Sequence, residues 1–246
     1  MITYNPDLKI FSSTKINDKT YFSGFSTSDL GDARNLNTFT DFFNQQNIPY
    51  KKLVILQQIH STNIEFSENL KTEDKIEMIE DTDGVITKNA GVILTIRNAD
   101  CVPLLFVDKA SGIIGITHQG WRGSLKKMAA KMVSLITDAG AKKDKLIVVI
   151  GPAIGACCYD VNDDLYYNFL EEFDGYSNKV FMMKKGRWHL NLAHLNYLQL
   201  VESGVKKENI DFFPFCTKCD NKRFFSRRRS GTESFEEMFN FVMKLK

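Results

Sequence analysis

Short apolar runs set off by glycine, aspartate and serine fill the middle of the chain. Lys52–Leu56 and Gly84–Thr87 read as strands, as do Val92–Arg97, Val102–Val107 and Ile113–Thr117, each too short for a helix. The DKASG stretch between the last two carries Asp108 and Gly112 and suits a hairpin turn. From Ser124 to Ala139 the period changes. Leu125, Met128, Ala129, Met132, Val133 and Ile136 recur at helical spacing, and Gly140 follows as a stop. Leu146–Ile150 reads as a buried strand running into Gly151-Pro152, and Ile210–Phe213 as another strand. Helices are predicted near Asn37–Gln46, Asp163–Phe173 and Leu192–Glu202. The interval from Ser67 to Thr82, rich in Glu, Lys and Asp, reads as a surface excursion and not as a domain boundary. Strands interleaved with helices predict one α/β (α+β) domain over residues 1–246, with mixed sheets packed by helices.

Composition narrows the function classes. A chain of 246 residues can bury a full core. Its 32 basic and 30 acidic residues leave a net charge of only +2, so no global charge favours nucleic acid. Lysines around Lys126, Lys142 and Lys184 read as solvated faces. The N-terminus has neither the apolar segment nor the cleavage site of a signal peptide. No apolar run approaches the roughly 20 residues that span a bilayer. Five cysteines, an odd number without an export signal, read as reduced thiols. A cytoplasmic protein without a membrane or nucleic-acid partner is the expectation, and no feature of the sequence specifies an oligomeric state.

Three segments each place one nitrogen or sulfur donor beside a predicted strand: His60 in LQQIHST, Cys101 in RNADCVPLLF and His118 in GITHQGWRGSL. Two imidazoles and a thiolate match zinc's donor preference, and three ligands leave a coordination position open, as catalytic sites do. The same types fit three unrelated side chains, since cysteine is commonly buried and a lone histidine is often a satisfied core residue. Asp100 is positioned either to orient a histidine or to cap a turn. After His118, Gly120 and Gly123 permit tight turns and Ser124 can cap a helix. Its exposed N–H groups, with Arg122 alongside, predict an anion site. Trp121 reads as a core residue.

Further motifs remain. GPAIGACCYDV follows a strand and carries adjacent Cys157 and Cys158, read as structural thiols although either could be a nucleophile. Cys216-x-x-Cys219 is half of a structural zinc site or a redox pair; as half a site it needs Cys157-Cys158 or His189/His194 to complete it. FFSRRRSGT places Arg227, Arg228 and Arg229 beside two phenylalanines, and one of them, with Arg228 the candidate, could pair with a phosphate or carboxylate. His189 and His194 read as ordinary core or surface residues.

These blocks resemble a known family. QQIHS resembles Q-V-H-G, NADCVPLLF resembles T-A-D-C-x-P-[LV]-L-F, and HQGWRG resembles H-A-G-W-R-G. DTDGVIT, GPAIGACCYDV and the C-terminal C-T…FFS-x-RR match further blocks in order, from about Gln57 to Arg229. Together they are similar to the laccase-domain proteins, formerly named polyphenol oxidases and later recognised as purine nucleoside phosphorylases. The resemblance implies zinc bound by His60, Cys101 and His118. It also implies phosphorolysis of adenosine, inosine and S-methyl-5'-thioadenosine, plus adenosine deamination. Four positions depart from the pattern: Ser28 stands where an arginine is expected, Asn98 replaces a threonine, Arg227 a tyrosine, and GTESF the terminal T-G-R.

Two other readings compete. The old family name implies a copper oxidase, but four histidines cannot furnish several histidine-rich copper centres; copper could still occupy an N and S site. A cysteine hydrolase, or a peptidoglycan-precursor editing role, would use Cys101 as nucleophile and His118 as base and would need the thiolate free.

Overall fold

The computed structural model describes residues 1–67, 74–231 and 233–245. The centre of the predicted surface excursion and Thr232 of GTESF lie outside them. The strands in chain order are β1 (Ile2–Asn5), β2 (Ile10–Ser13), β3 (Tyr21–Ser26), β4 (Lys52–Leu56), β5 (Ile64–Phe66), β6 (Ile76–Ile79), β7 (Gly84–Thr87) and β8 (Val92–Asn98). There follow β9 (Val102–Asp108), β10 (Ile113–Gln119), β11 (Ile147–Ile150), β12 (Asp160–Val161), β13 (Phe181–Lys184), β14 (Arg187–Leu190), β15 (Ile210–Phe212) and β16 (Met238–Lys244). The helices are α1 (Leu36–Gln45), α2 (Trp121–Leu125), α3 (Met128–Asp138), α4 (Asp163–Glu172), α5 (Ser177–Val180), α6 (Leu192–Glu202) and α7 (Arg227–Ser230).

Three sheets result. A seven-stranded sheet runs β1-β2-β3-β16-β8-β4-β6, a six-stranded sheet runs β15-β11-β9-β10-β7-β5, and a small one runs β12-β14-β13. Period-2 alternation explains the layering. Val54 and Leu56 of β4, with Leu94 and Ile96 of β8, face Leu105, Val107, Ile114, Ile116 and Val149 of the six-stranded sheet. Their neighbours Leu53, Ile55 and Ile93 point the other way, onto Phe39, Phe42 and Phe43 of α1. Leu104 and Phe106 of β9 and Val148 of β11 likewise point outward, onto Ala129, Met132 and Val133 of α3 and Leu195 of α6. The order is therefore helix, sheet, sheet, helix. Strands buried on both faces carry continuous apolar runs, which is why they were legible.

Helix starts are set by asparagines: the side chains of Asn35, Asn162 and Asn191 accept from the backbone N–H groups of Asn37, Leu165 and His194. The predicted helix from Ser124 to Ala139 is two helices, because Lys127 takes a left-handed conformation (φ 55°) between α2 and α3. The polar interval holds β6, parallel to β4, where buried Glu77 receives Lys52 Nζ at 2.6 Å. Among the described residues no helix is long and apolar enough to cross a membrane.

Candidate active site at the strand ends

The parallel pairing of β4 with β8 and the β9–β10 hairpin bring four strand ends to one end of the sandwich. His60 lies past the end of β4, Cys101 in the β8–β9 turn, and His118 within β10, which runs beyond the predicted Thr117 to Gln119. One donor atom from each lies within 4.8 Å of the others. Cys101 Sγ is 3.9 Å from His60 Nε2, and the two imidazoles meet edge to face with centroids 4.9 Å apart. His60 (φ 61°) and Asp100 (φ 88°) are both held in the left-handed region, a conformation that non-glycine residues keep only where their surroundings enforce it. Zinc bonds of about 2.0–2.3 Å put tetrahedral donors roughly 3.3–3.8 Å apart, so this donor set fits a metal ion after small side-chain shifts.

Asp83, fully buried just before β7, organises the trio. Its carboxylate accepts from the backbone N–H groups of Ile59, His60 and Ser61 at 3.2, 3.1 and 2.7 Å and from Ser61 Oγ at 2.7 Å. Asp83 Oδ1 also lies 2.9 Å from His118 Nδ1, which directs the other ring nitrogen to the cluster. Of the two expectations for Asp100, orienting a histidine or capping a turn, the first is not met: Asp100 accepts from Thr217 Oγ1 (2.6 Å), Ser226 Oγ (2.9 Å) and the Arg228 backbone N–H (2.7 Å). Asp83 lies in the DTDGVIT block. No local pattern marks it, because its partners are 22 to 35 residues away.

The charges reinforce one another. Burial opposes a thiolate at Cys101, yet His118 and His60 bring its pKa down to about 6. Burial likewise opposes an imidazolium at His118, yet Cys101 and Asp83 raise it to about 10. Asp83 is held below the usual carboxylate range despite its burial by its bonds to His118 and Ser61. Each charge thus favours the other, drawing Cys101 toward thiolate and His118 toward imidazolium.

Gly120 is required by close approach: a Cβ there would sit 2.7 Å from His60 Cδ2 and 3.5 Å from Cys101 Sγ. The expectation that Ser124 caps the helix is corrected. The helix begins at Trp121 with Gly120 as N-cap, so Ser124 is interior, its N–H donating to Gly120 O at 2.9 Å and its Oγ accepting from Asn196 Nδ2 at 2.9 Å. Gly123 and Ser124 are buried and do not line the cavity beside the trio; Arg122 and Arg228 do.

That cavity, of about 490 Å³, has His60 and Cys101 in its wall together with Trp121, Tyr159, Arg227 and Glu233. Trp121 is half-buried, packed against the helix-side core and lining the cavity as well, with the Arg122 guanidinium 4.4 Å from its ring centroid. Among the described residues Arg122 has no carboxylate partner within ion-pair distance. Arg228 Nη1 bonds Asp160 Oδ1 at 2.7 Å, and its guanidinium lies 5.1 Å from the Tyr159 ring centroid. Burial keeps Tyr159 protonated well above its usual range. Arg229 serves structure, donating to the carbonyls of Thr217, Lys218 and Phe224. Ser28 packs against the 222–223 backbone and is not a wall residue. His189 Nδ1 lies 2.7 Å from Ala156 O and His194 stacks on Tyr197, so neither joins the trio.

Known proteins place this arrangement. The chain is 28% identical over 237 residues to the adenosine deaminase RL5 of an unknown prokaryotic organism, covering 92% of this chain and 90% of that protein. It is 33% identical over 227 residues to the purine nucleoside phosphorylase RP494 of Rickettsia prowazekii, covering 90% and 88%. The crystal structure of YlmD from Geobacillus stearothermophilus superposes with a TM-score of 0.82 at 26% identity, over 97% of both chains. The profile of one family matches residues 23–243, most of the length. With that match and the fold in agreement, the chain belongs to the family described as multi-copper polyphenol oxidoreductase laccase.

Proposed function

We propose that this chain is a zinc-dependent purine nucleoside phosphorylase acting on adenosine, inosine and S-methyl-5'-thioadenosine, with adenosine deamination as a side activity, and that the whole chain works as one domain. The observation that carries this reading is the convergence of His60, Cys101 and His118 beside a cavity walled by two aromatic rings and rimmed by arginines. Relatives named purine nucleoside phosphorylase and adenosine deaminase support it.

His60, Cys101 and His118 would hold the ion, and their two nitrogens and one sulfur favour zinc. When bound, zinc supplies a Lewis acid beside the reacting atoms. In phosphorolysis a phosphate oxygen bonds to the anomeric carbon while the glycosidic bond breaks, its electron pair leaving with the purine. Trp121 and Tyr159 offer faces for the base. Arg122, which has no carboxylate partner among the described residues, and Arg228 hold the phosphate dianion. The Tyr159 hydroxyl stays a hydrogen-bond donor to the departing base, and Glu233 can accept from ribose hydroxyls.

The test is to incubate the purified protein with adenosine, with and without phosphate, and identify the products. Phosphate-dependent adenine and ribose 1-phosphate support the proposal, and Cys101→Ala should abolish both. Inosine alone would make deamination the main activity. Turnover that survives chelation would instead favour the cysteine-hydrolase reading. Copper remains the second metal candidate because it competes for the same N and S donors. The only other histidines, His189 and His194, stand apart from the trio, which argues against several copper centres. Elemental analysis of protein purified without added copper decides between the two ions.

A further inference from the structure

The four cysteines outside the cavity form a second cluster. Cys157 and Cys158 sit in the loop after β11, and Cys216 and Cys219 in the loop after β15. One sulfur from each lies within 4.8 Å of the others. Cys158 Sγ and Cys157 Sγ are 3.3 and 3.6 Å from Cys219 Sγ, too far for disulfides, whose S–S length is about 2.05 Å. A zinc–sulfur bond of about 2.3 Å gives a tetrahedron with edges of roughly 3.8 Å, and the separations of 3.3 and 3.6 Å reach it after sulfur shifts of a few tenths of an ångström. We infer that Cys157, Cys158, Cys216 and Cys219 form a closed tetrathiolate zinc site, separate from the His60–Cys101–His118 donors.

The backbone is built for it. The Gly155 N–H donates to Cys216 Sγ at 3.1 Å, and the N–H groups of Lys218 and Cys219 turn toward the same sulfur. A C-x-x-C turn that aims backbone donors at its first sulfur stabilises a thiolate ligand. Gly155 cannot readily carry a side chain, because a Cβ there would lie 3.2 Å from Cys216 Cβ and 3.3 Å from Cys157 Sγ. Lys184 Nζ, 3.2 Å from Cys157 O, brings positive charge to a centre whose four thiolates and one divalent ion sum to −2. Binding exchanges four thiol protons for one Zn²⁺ without any redox change.

Four protein ligands leave no open position, so the site is structural. It joins two loops that meet otherwise through the Ala153–Cys216 bridge and the Thr217 N–H to Ala153 O bond of 3.0 Å. Those loops carry Tyr159 at the cavity wall and Thr217, a donor to Asp100. The second metal thereby fixes the wall of the first site from outside.

The experiment uses the full chain carrying Cys101→Ala, in which the cavity donors are broken, titrated with Co²⁺ under reducing conditions. One equivalent should bind with intense thiolate-to-cobalt charge transfer and tetrahedral d–d bands, and Zn²⁺ should bleach both. Adding Cys216→Ser and Cys219→Ser should abolish the signal. In the wild-type chain, elemental analysis should give two zinc equivalents, falling to one in Cys101→Ala. A folded Cys101→Ala chain that binds no cobalt, a signal that survives the double serine change, or a Cys158–Cys219 disulfide in a non-reducing peptide map would each overturn the inference. Because no readout here is catalytic activity, loss of purine turnover alone leaves this result standing.

Discussion

Side chains that never touch the cavity decide whether its donors are aligned. Asp83 is the clearest case, because one carboxylate fixes the His60 backbone and the His118 ring together. In Asp83→Asn the new amide turns an N–H toward groups that are themselves donors. Metal affinity should fall about 10–100-fold, the range for losing a partner of a ligating histidine. Competition with a chromophoric chelator measures this, and Ser61→Ala, which removes one bond to the other oxygen of the same carboxylate, should have a much smaller effect. Gly120→Ala tests steric demand in place of hydrogen bonding. Its methyl would push on the His60 ring at 2.7 Å, so metal retention should drop while the fold loses about 1–3 kcal/mol in denaturant melts. The three donors were legible because histidine and cysteine are scarce here and their chemistry is narrow. Asp83 was not, since an aspartate before a strand has many uses and only the fold reveals which donors it faces. Ser124 misled for a related reason: serine after a glycine pair resembles a cap, yet the helix starts three residues earlier, at Trp121.

At the level of elements, the runs buried on both faces were legible and the polar-interrupted ones were not. β4, β8, β9, β10 and β11 announce themselves through predominantly apolar residues. β3 and β16 hide theirs. Ser26 and Asn240 break the pattern, and they make bonds no window of sequence displays: the Phe239 N–H to Ser26 Oγ, and Asn240 Nδ2 to Asn98 Oδ1, both at 2.9 Å. β6 was masked by its acidic surroundings, although Glu77 is neutralised by Lys52 on the next strand. Another such link is Asp32, which joins the approach to α1 with the approach to β16. Its carboxylate accepts from the Arg34 N–H and Nε and from the Glu237 N–H. Burial works against the charge, but the bonds to Arg34 and Glu237 hold the carboxyl below its usual range. A carboxyl with a lowered folded pKa stabilises the fold above its unfolded pKa of about 3.9, and that contribution is lost as pH falls through the folded value. Wild type should therefore melt above Asp32→Asn at neutral pH, with the gap narrowing below about pH 4. A gap that stays constant down to pH 3 would refute this account.

Across the whole molecule, the site exists because segments distant in sequence close on one strand end, and Asp100 is where they are tied. The oxygens of its carboxylate receive Thr217, Ser226 and the Arg228 backbone, 117 to 128 residues away. Asp100 thus fastens the loop of Cys216 and Cys219, and the start of α7, to the turn that carries Cys101. No local pattern encodes such a junction; a motif match marks its pieces as belonging together without saying why. Asp100→Ala would strand two buried hydroxyls, on Thr217 and Ser226, and the part-buried Arg228 N–H, a buried donor being worth about 1–3 kcal/mol when left without an acceptor. Because the three share one junction their losses will not add fully, and a total on the order of 3 kcal/mol is expected. At about 2–4 °C per kcal/mol for a chain near this size, the melting temperature should drop by roughly 6–12 °C. Hydrogen exchange separates this from a general loss of packing. Protection should fall first across residues 214–231, while the central strands β9 and β10 keep theirs until global unfolding. Asp100→Asn, which retains one acceptor oxygen and tolerates the positive φ of this position, should recover part of the loss. Uniform loss of protection across sheets and loops alike would show that Asp100 supports the core generally, and the picture of a clasp holding the cavity wall would have to be abandoned.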